Sequence, residues 1–275
     1  MTASARKAAQ ARRARLDAEL VRRGLARSRA QAAELIDSGQ VAVAGQLAAK
    51  AATQVGQDVA ITIQRQDGEP DYVSRGGYKL AGALAAFSGL RVAGRRCLDA
   101  GASTGGFTDV LLRAGAAQVV AVDVGYGQLD WKLRSDPRVT VLDRVNVRSL
   151  RPAQVAPAPE LVTADLSFIS LAAVLPALAD CAAADADFVV MVKPQFEVGK
   201  GKVGAGGVVR DPALRAEAVR AVAQAAADLG LGVLGVTASP LPGPSGNVEY
   251  FLWLTRGAPP LAEGELLQAI EAGPQ

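Results

Sequence analysis

Five apolar runs alternate with helix-length segments through the middle of the chain, and this alternation restricts the fold more than any other feature. The runs cover residues 96–101, 119–124, 139–144, 161–167 and 187–194. Parallel strands need long crossovers, usually helices, so the pattern predicts an α/β fold with a mainly parallel sheet and helices on both faces. Two more strands are expected near 232–239 and 248–254. The segment between them is too short for a crossover helix, so they are predicted to pair antiparallel and complete a seven-stranded sheet.

Charge is divided unevenly along the 275-residue chain, which is long enough for a full core and a small second domain. Residues 1–66 carry eleven Lys and Arg against five Asp and Glu, a net charge of +6, so the remainder sums to −3 for a total of +3. A basic module in front of a mildly acidic one predicts binding to a polyanion, with an ordinary solvated basic face as the alternative. The expected segments are a basic tail at 1–13, a basic domain at 14–65, a linker at 66–79, a catalytic domain at 80–260 and a C-terminal helix or tail at 261–275.

Residue types that the chain lacks exclude several kinds of chemistry. There is no histidine, which excludes Ser-His-Asp hydrolysis, Cys-His proteolysis and His-ligated zinc, so proton transfer must use Lys, Asp, Glu or Tyr. Cys97 and Cys181 have no C-x-x-C neighbour and are expected to be buried thiols, with no metal bound. Since there is also no uncharged apolar run of membrane-spanning length, the sequence predicts a soluble, cytoplasmic protein with no membrane partner.

A glycine-rich loop follows the first strand of the predicted sheet, at the edge where ligands of such sheets bind. Glycines let a backbone turn tightly and approach a ligand closely. Asp123 ends the next strand, where a carboxylate can accept both hydroxyls of an adenosine ribose, and Asp143, Arg144 or Asn146 is expected to meet the adenine edge. Because the loop spacing is G-x-x-x-G-G and not G-x-G-x-x-G, S-adenosylmethionine is favoured over NAD. The predicted cofactor-binding residues are Asp99, Gly101, Ser103, Thr104, Gly105, Gly106, Phe107, Asp123, Asn146 and Asp165.

A second glycine-rich loop, at residues 199–207, lacks the G-x-x-x-x-G-K-[ST] order of a P-loop. It is expected to be a mobile loop and a candidate lid over the substrate. Asp109 and Asp130, which follow the cofactor loop, are expected to be solvated helix or loop residues.

Four ionisable residues occupy positions that point to catalysis. Lys79 is expected just before the first helix of the catalytic domain, Asp165 ends the fourth strand, Lys193 ends the fifth and Glu249 begins the last. In the predicted topology all four face the same rim of the sheet, beside the cofactor. Solvated ion pairs of little energetic weight are the alternative.

The basic domain is predicted to begin with two short helices that end at Gly24 and Gly39, followed by short strands. This helix pair, its arginines and the G-x-V-x-V-x-G hairpin resemble the S4 RNA-binding domain over about residues 14–65. The resemblance implies contacts with the phosphates and shape of a folded RNA. The predicted RNA-binding arginines are Arg15, Arg22, Arg23, Arg27 and Arg29.

The catalytic domain resembles the class I methyltransferase fold, and its Lys-Asp-Lys-Glu order resembles the tetrad of FtsJ-like ribose 2'-O-methyltransferases. With the S4-like domain in front, nearly the whole chain resembles the TlyA family. The strings that carry this resemblance are VSRGGYKL, LDAGASTGGFTDVLL, VVAVDVGYGQLDWKLR, ADLSFISL, VKPQFEVGKGKVGAGGVVRDP and PGPSGNVEYFLWL. The resemblance implies methyl transfer from S-adenosylmethionine to a ribose 2'-OH, in cytidines of 16S or 23S ribosomal RNA, with that RNA or the ribosomal subunits as partner.

Within that chemistry, Lys193 is predicted to orient or deprotonate the 2'-OH, with its basicity set by Asp165 and Glu249. Lys79 is predicted to supply positive charge near the attacking oxygen or a phosphate. Phe168 either stacks on a flipped target base or packs as a core residue at a strand end.

Two other function classes stay open at this point. A membrane-active haemolysin, which a second label of the same family suggests, requires an amphipathic or spanning segment. A non-catalytic RNA-binding protein with a methyltransferase fold is the other.

Overall fold

The computed structural model describes residues 14–26, 29–56, 59–63 and 71–274. They fall into two compact units, one up to Asp71 and one from Tyr72 onward. The division lies inside the predicted linker at 66–79. Each unit is described by itself below.

The N-terminal unit consists of two helices and short strands around a small core. The elements are β1 (Ala14–Arg15), α1 (Leu16–Arg22), α2 (Arg29–Asp37), β2 (Val41–Val43), β3 (Gln46–Leu47), β4 (Gln54–Val55) and β5 (Ile61–Ile63). Gly24 and Gly39 adopt positive φ angles just after the two helices, as predicted for residues that end them. The apolar faces of the helices, through Leu20 and Ile36, pack on the central strand β2.

The C-terminal unit is built on one seven-stranded sheet. Its strands are β6 (Arg96–Ala100), β7 (Gln118–Asp123), β8 (Val139–Asp143), β9 (Leu161–Ala164), β10 (Asp187–Val192), β11 (Leu231–Ala238) and β12 (Tyr250–Arg256). Their order across the sheet is β11-β12-β10-β9-β6-β7-β8. The five strands from β6 to β10 pair in parallel, whereas β12 pairs antiparallel with both β10 and β11. The fold predicted from the alternating runs is therefore confirmed.

Helices cover both faces of this sheet. They are α3 (Arg75–Ala86), α4 (Gly106–Arg113), α5 (Trp131–Arg134), α6 (Pro152–Val155), α7 (Leu175–Cys181), α8 (Pro194–Glu197), α9 (Pro212–Ala227) and α10 (Glu263–Glu271). Successive strand residues point to opposite faces, so Cys97 packs in the cluster with α3 and α4 and Leu98 in the cluster with α7 and α9. Among the described helices, none has the length and apolar character required to cross a bilayer.

The chain order reverses between β6 and β9, and this reversal fixes where a ligand can bind. From β6 the strands proceed to β7 and β8 on one side, and the chain then returns to β9 and β10 on the other. Crossover helices leave β6 and β9 in opposite directions, which opens a crevice at the carboxyl ends of these strands. Because β12 is antiparallel, its first residue lies at the same edge, with Tyr250 opposite Val192.

Helix α3 corrects the expected position of Lys79. The linker was predicted to run to residue 79, with Gly76 and Gly77 as a change of direction, but the helix begins at Arg75 and Lys79 lies within it. Both glycines belong to its first turn, and at Gly77 a side chain would obstruct packing. A Cβ on Gly77 would lie 2.5 Å from the Cβ of Tyr72.

The contact between α3 and α4 depends on a missing side chain at Gly106. A Cβ there would lie 2.4 Å from Ser74 Oγ and 2.7 Å from the backbone nitrogen of Gly77, so Gly106→Ala forces the two helices apart. We expect it to destabilise the C-terminal unit by about 1–3 kcal/mol in thermal or urea unfolding.

Gly264→Ala is the matched control, because a Cβ at this exposed position of α10 would meet nothing within 4 Å. It should stabilise the same unit by about 0.5–1 kcal/mol. Equal stability of the Gly106→Ala protein and the wild type would contradict the close helix contact.

Candidate active site

A cleft of about 470 Å³ opens at the carboxyl edge of the sheet, at the point where the strand order reverses. Its volume lies in the range of small-molecule sites. The loops after β6, β7, β8 and β9 line it, through Gly101, Ser103, Asp123, Val124, Gln128, Asn146, Val147, Asp165, Leu166, Ser167, Phe168, Ile169 and Val174. Five of the predicted cofactor-binding residues are in this set: Gly101, Ser103, Asp123, Asn146 and Asp165.

The floor of the cleft requires glycine at position 101. Gly101 has a φ of 88°, and a Cβ there would lie 2.4 Å from the backbone oxygen of Asp165. The loop after β6 therefore rests directly on the chain at the end of β9.

Asp123 is held in place by backbone amides. Its Oδ2 accepts from the amide of Ser103 at 2.8 Å and its Oδ1 from the amide of Gly125 at 2.7 Å. Ser103 adopts a positive φ of 47°, which turns its amide toward this carboxylate. Each carboxylate oxygen has a second lone pair, so Asp123 can still accept hydroxyl groups of a ribose in the cleft.

At the adenine end, the structure separates the three candidates that the sequence left open. Asp143 accepts from Arg134 at 2.5 and 3.0 Å, so its carboxylate is already engaged. Arg144 places its guanidinium 4.3 Å from the ring centre of Tyr126. Asn146 lines the cleft beside Val147 and is the candidate that remains.

Five other residues predicted to bind the cofactor do not line the cleft. Phe107 is buried against Phe251, with ring centres 6.0 Å apart. Gly105 and Gly106 are the start of α4, where added side chains would collide with neighbouring residues, and Thr104 is exposed on the loop. These residues shape the loop instead of facing the ligand, a distinction that a glycine-rich motif does not reveal.

The fifth, Asp99, is fully buried beneath the loop. Thr108 Oγ1 donates to its Oδ2 at 2.6 Å, and Thr163 Oγ1 lies 3.5 Å from its Oδ1. Burial, followed by the negative charge of Asp165, raises the pKa of Asp99 from 3.8 to about 7. Asp99 thus supports the loop from within.

Lys193 and Asp165 form an ion pair at the rim of the cleft. Lys193 Nζ lies 2.6 Å from Asp165 Oδ1 and donates to Ser167 Oγ at 3.0 Å. The side chain of Lys193 is 10% exposed and that of Asp165 is 23% exposed, so the pair is partly open toward the cleft. Ser167 was not singled out from the sequence, although it lies in the same strand-end segment as Asp165.

Lys79 and Glu249 form a second, more deeply buried pair. Lys79 Nζ donates to Glu249 Oε2 at 2.6 Å, and the side chain of Glu249 is 1% exposed. Lys193 directly follows Val192 and Glu249 directly precedes Tyr250, and these two neighbours are paired in the sheet. The four residues therefore lie at one edge of the sheet, where they form two ion pairs.

Phe168 is a surface residue and not a core residue. It is 90% exposed, adopts a positive φ of 64° and lies with its ring centre 5.2 Å from that of Phe196. Glu197 fixes this arrangement, because its carboxylate accepts from Ser170 Oγ at 2.6 Å and from the amide of Leu171 at 2.9 Å. The exposed Phe168, in contact with the half-buried Phe196, therefore lies at the mouth of the cleft.

Asp109 differs from its predicted surroundings, whereas Asp130 does not. Asp109 was expected to be solvated, but it is buried, accepts from the amide of Val73 at 3.0 Å and pairs with Arg113 at 2.7 Å. Asp130 caps α5 by accepting from the amide of Lys132. Neither belongs to the cleft lining.

The loop at 199–207 contains two short 3₁₀ turns, at Lys200–Lys202 and Ala205–Gly207. Asn247, which is buried, ties its end to the sheet by accepting from the amide of Val209 and donating to the oxygen of Gly207, both at 2.9 Å. Asn247 was not predicted as a functional residue. The sequence offered one indication of its importance, which is its position two residues before Glu249.

In the N-terminal unit, two buried carboxylates organise the predicted RNA-binding arginines. Asp17 pairs with Arg15 at 2.9 Å and with Arg29 at 3.0 Å. Hydrogen bonds from Arg15, and then from Arg29, hold the pKa of Asp17 well below its usual range.

Glu19 organises the other two described arginines, and it corrects the prediction for one of them. Glu19 pairs with Arg22 at 2.6 Å and with Arg23 at 2.8 Å, and hydrogen bonds from these side chains lower its pKa from 4.5 to about 2. Arg23 also donates to the backbone oxygens of Val59 and Gly56 and is only 20% exposed, so it is a structural residue. Arg15, Arg22 and Arg29 remain largely exposed, whereas Arg27 lies outside the described residues.

The fold and this site define a methyltransferase of the FtsJ-like type with an S4 domain in front. The family model described as FtsJ-like methyltransferase matches residues 72–256, and the S4 domain model matches residues 14–61. The chain therefore belongs to the FtsJ-like methyltransferase family and, within it, to the TlyA proteins.

Individual relatives support that assignment. A protein of Mycobacterium tuberculosis named 16S/23S rRNA (cytidine-2'-O)-methyltransferase TlyA is 67% identical over 89% of this chain and 90% of its own length. A Bacillus subtilis protein named putative rRNA methyltransferase YqxC is 41% identical over 94% and 92% of the two chains. The solved structure of a putative hemolysin from Streptococcus thermophilus is 36% identical, with a TM-score of 0.76 over 94% of both chains.

The buried carboxyl of Asp99 should make stability depend on pH. In the unfolded chain it ionises near 4 and in the folded chain near 7, so between these values the folded state holds a proton that the unfolded state has released. This contribution to stability is fully present below pH 4 and is lost as the pH rises through 7. Asp99→Asn removes the titrating group, so we expect its thermal midpoint to fall less than that of the wild type between pH 5 and pH 8.

The comparison should use the difference between the two pH values in each protein, because the substitution also changes absolute stability. Wild-type and variant midpoints that fall by the same amount would show that Asp99 does not carry this dependence.

Proposed function

We propose that the protein transfers a methyl group from S-adenosylmethionine to the 2'-OH of a cytidine ribose in 16S or 23S ribosomal RNA. The observation that carries the proposal is the Lys193 ammonium, held 2.6 Å from Asp165 at the rim of an adenosine-sized cleft. The name of the Mycobacterium tuberculosis relative supports the ribosomal cytidine as the substrate. Such a substrate implies that the protein acts in the cytoplasm.

The residues of the cleft fit S-adenosylmethionine. Asp123 would hold the ribose hydroxyls, Asn146 and Val147 would meet the adenine, and the backbone at Gly101 and Ser103 leaves room for the amino-acid tail. The loop lacks the glycine spacing that accommodates the pyrophosphate of NAD. When bound, S-adenosylmethionine supplies a methyl group already activated by a sulfonium.

The protein's own contribution is position and charge. An ammonium has three donors, and Lys193 uses two of them toward Asp165 and Ser167, which leaves a third for a substrate. The third donor can bind the 2'-oxygen and hold it in line with the methyl group. As the new C–O bond replaces the sulfonium C–S bond, the hydroxyl proton passes to solvent water. Of the two roles predicted for Lys193, its ion pair with Asp165 supports orientation over deprotonation.

The second ion pair supplies fixed charge behind the reacting atoms. Lys79 and Glu249 are almost completely buried, so their positions change little when a substrate enters. Preorganised charge of this kind stabilises a transition state without reorganisation at the moment of reaction. Lys79 therefore acts as a source of positive potential near the 2'-oxygen or an adjacent phosphate.

RNA binding is assigned to the S4 domain and to the aromatic pair at the cleft. Arg15, Arg22 and Arg29 present guanidinium groups whose orientation is fixed by buried carboxylates, which suits contacts with phosphates. Phe168, supported by Phe196, offers a face on which a flipped cytosine can stack.

The relatives that carry hemolysin names do not change this proposal. No observation in the described cleft or helices favours membrane lysis over methyl transfer. Release of dye from liposomes by the purified protein alone would favour the lytic function. A non-catalytic RNA-binding role would leave the four ionisable residues at the rim, Lys79, Asp165, Lys193 and Glu249, without a reaction to serve.

Methyl transfer tests the proposal directly. The purified protein, given radiolabelled S-adenosylmethionine and ribosomal subunits from a strain that lacks the enzyme, should label the RNA, and nuclease digestion should release 2'-O-methylcytidine. Label in a base, in another nucleoside or in no RNA would reject ribose methylation of cytidine.

Lys193→Ala should lower the single-turnover rate by about a hundredfold or more, because it removes the group that orients the 2'-oxygen. The affinity for S-adenosylmethionine, measured by calorimetry, should stay near that of the wild type. Lys132→Ala, which removes an exposed lysine on α5, is the matched control and should leave the rate unchanged. A Lys193→Ala rate within threefold of the wild type would remove Lys193 from the mechanism.

A further inference from the structure

A second recess lies beside the cofactor cleft, on the chain that follows β8. It has a volume of about 470 Å³ and is lined by Arg144, Val145, Asn146, Ser149, Arg151 and Gln154. We call it the arginine recess. Except for Val145, each lining side chain can donate a hydrogen bond, and this lining contains no carboxylate.

The arginines at this recess differ in charge balance from five other arginines of the C-terminal unit. Five arginines of this unit pair with carboxylates: Arg95, Arg113, Arg134, Arg138 and Arg220. Within residues 71–274, Arg144, Arg151 and the adjacent, exposed Arg148 have no carboxylate within ion-pair distance. Three uncompensated positive charges in eight residues attract a polyanion.

Arg144 is held in an unusual conformation that presents its guanidinium at the surface. Its φ is 59°, in the left-handed region that non-glycine residues seldom adopt. Its amide donates to the oxygen of Gly125 at 2.9 Å, and its guanidinium lies 4.3 Å from the ring centre of Tyr126, which is 68% exposed. Strained backbone of this kind is characteristic of functional sites, and a stacked Arg–Tyr pair suits contact with a nucleic acid.

The recess adjoins the cofactor cleft at Asn146, which lines both. Asn146 Oδ1 accepts from the amide of Arg148 at 3.0 Å, so the residue that separates the two cavities is fixed in position. If one nucleotide of an RNA chain enters the cleft, the backbone phosphates next to it can therefore reach the recess.

We propose that the arginine recess binds the phosphodiester backbone of the RNA substrate next to the nucleotide that is methylated. This inference rests on the proposed function, and it adds a binding site in the catalytic unit itself. Arg144 and Arg151 contact phosphates, and Tyr126 orients Arg144 for that contact. Since phosphate contacts carry no base information, the site adds affinity and register but no sequence selectivity.

The test is a charge reversal in the full-length protein. In Arg144→Glu/Arg151→Glu, binding to deproteinised 16S and 23S ribosomal RNA should weaken on the order of tenfold at 0.1 M salt. The slope of log K against log salt concentration should decrease by about one for each phosphate that the variant no longer binds. Affinity for S-adenosylmethionine and the thermal midpoint should not change.

Arg91→Glu/Arg256→Glu is the matched control. Both arginines are exposed and lie at the opposite edge of the sheet, before β6 and at the end of β12, so the same change of net charge there should leave RNA affinity and salt dependence as in the wild type. An equal decrease of affinity in this control would show that only the net charge matters and would overturn the assignment.

Three other results would also overturn it. RNA binding and salt slope equal to the wild type would exclude a phosphate contact in the recess. Lower affinity for S-adenosylmethionine would make the recess part of the cofactor site. Weaker binding to assembled ribosomal subunits with unchanged binding to bare RNA would indicate an acidic protein partner.

Methyl transfer measured on the same RNA keeps this proposal separate from the proposed function. If the variant loses RNA affinity as expected while even the wild type transfers no methyl group, the recess is supported and ribose methylation is rejected.

Discussion

The close approach of two chain segments at Gly101 is the constraint on which the site depends. The strand order reverses between β6 and β9, so the loops that follow them meet at one point, where a single Cβ would lie 2.4 Å from a carbonyl oxygen. The residue whose carbonyl is involved is Asp165, the partner of Lys193. The glycine-rich loop after β6 and the Lys193–Asp165 ion pair are therefore joined by one close backbone contact.

Burial of charge gives the rim of the cleft its rigidity. Lys79 and Glu249 are each less than a tenth exposed, and a buried ion without its partner is strongly destabilising. Each member of the pair is consequently held in one position by the other. In the N-terminal unit only one member of each ion pair is buried. Asp17 and Glu19 are buried, and they hold in position arginines that remain at the surface.

Much of the fold and the position of the site could be predicted because strand-end residues follow from topology. The hydrophobic alternation located β6 to β10, and parallel strands must end at one edge, which is where Asp123, Asp165 and Lys193 lie. The antiparallel hairpin followed from the shortness of its connection, and it brought Glu249 to the same edge.

The direction of individual side chains could not be predicted in this way. Asp99 belongs to the glycine motif, yet it points to Thr108 inside the unit, and a sequence pattern does not distinguish the two directions. Arg23 binds carbonyl groups more than thirty residues away, so only the folded chain shows that it is structural. Gly76 and Gly77 suggested a break in the chain, but a residue without a side chain is also required where a helix packs closely on its neighbours, as at Gly77.

The pairing of Lys79 with Glu249 has a consequence for biosynthesis. The two residues are 170 positions apart, and β12, which Glu249 precedes, lies between β10 and β11 in the sheet. Synthesis proceeds from the N-terminus, so Lys79 lacks its counter-charge until almost the whole catalytic unit has been translated. The Lys79–Glu249 pair thus forms late in synthesis, and a protein proposed to modify ribosomes becomes competent only near the end of its own passage through one.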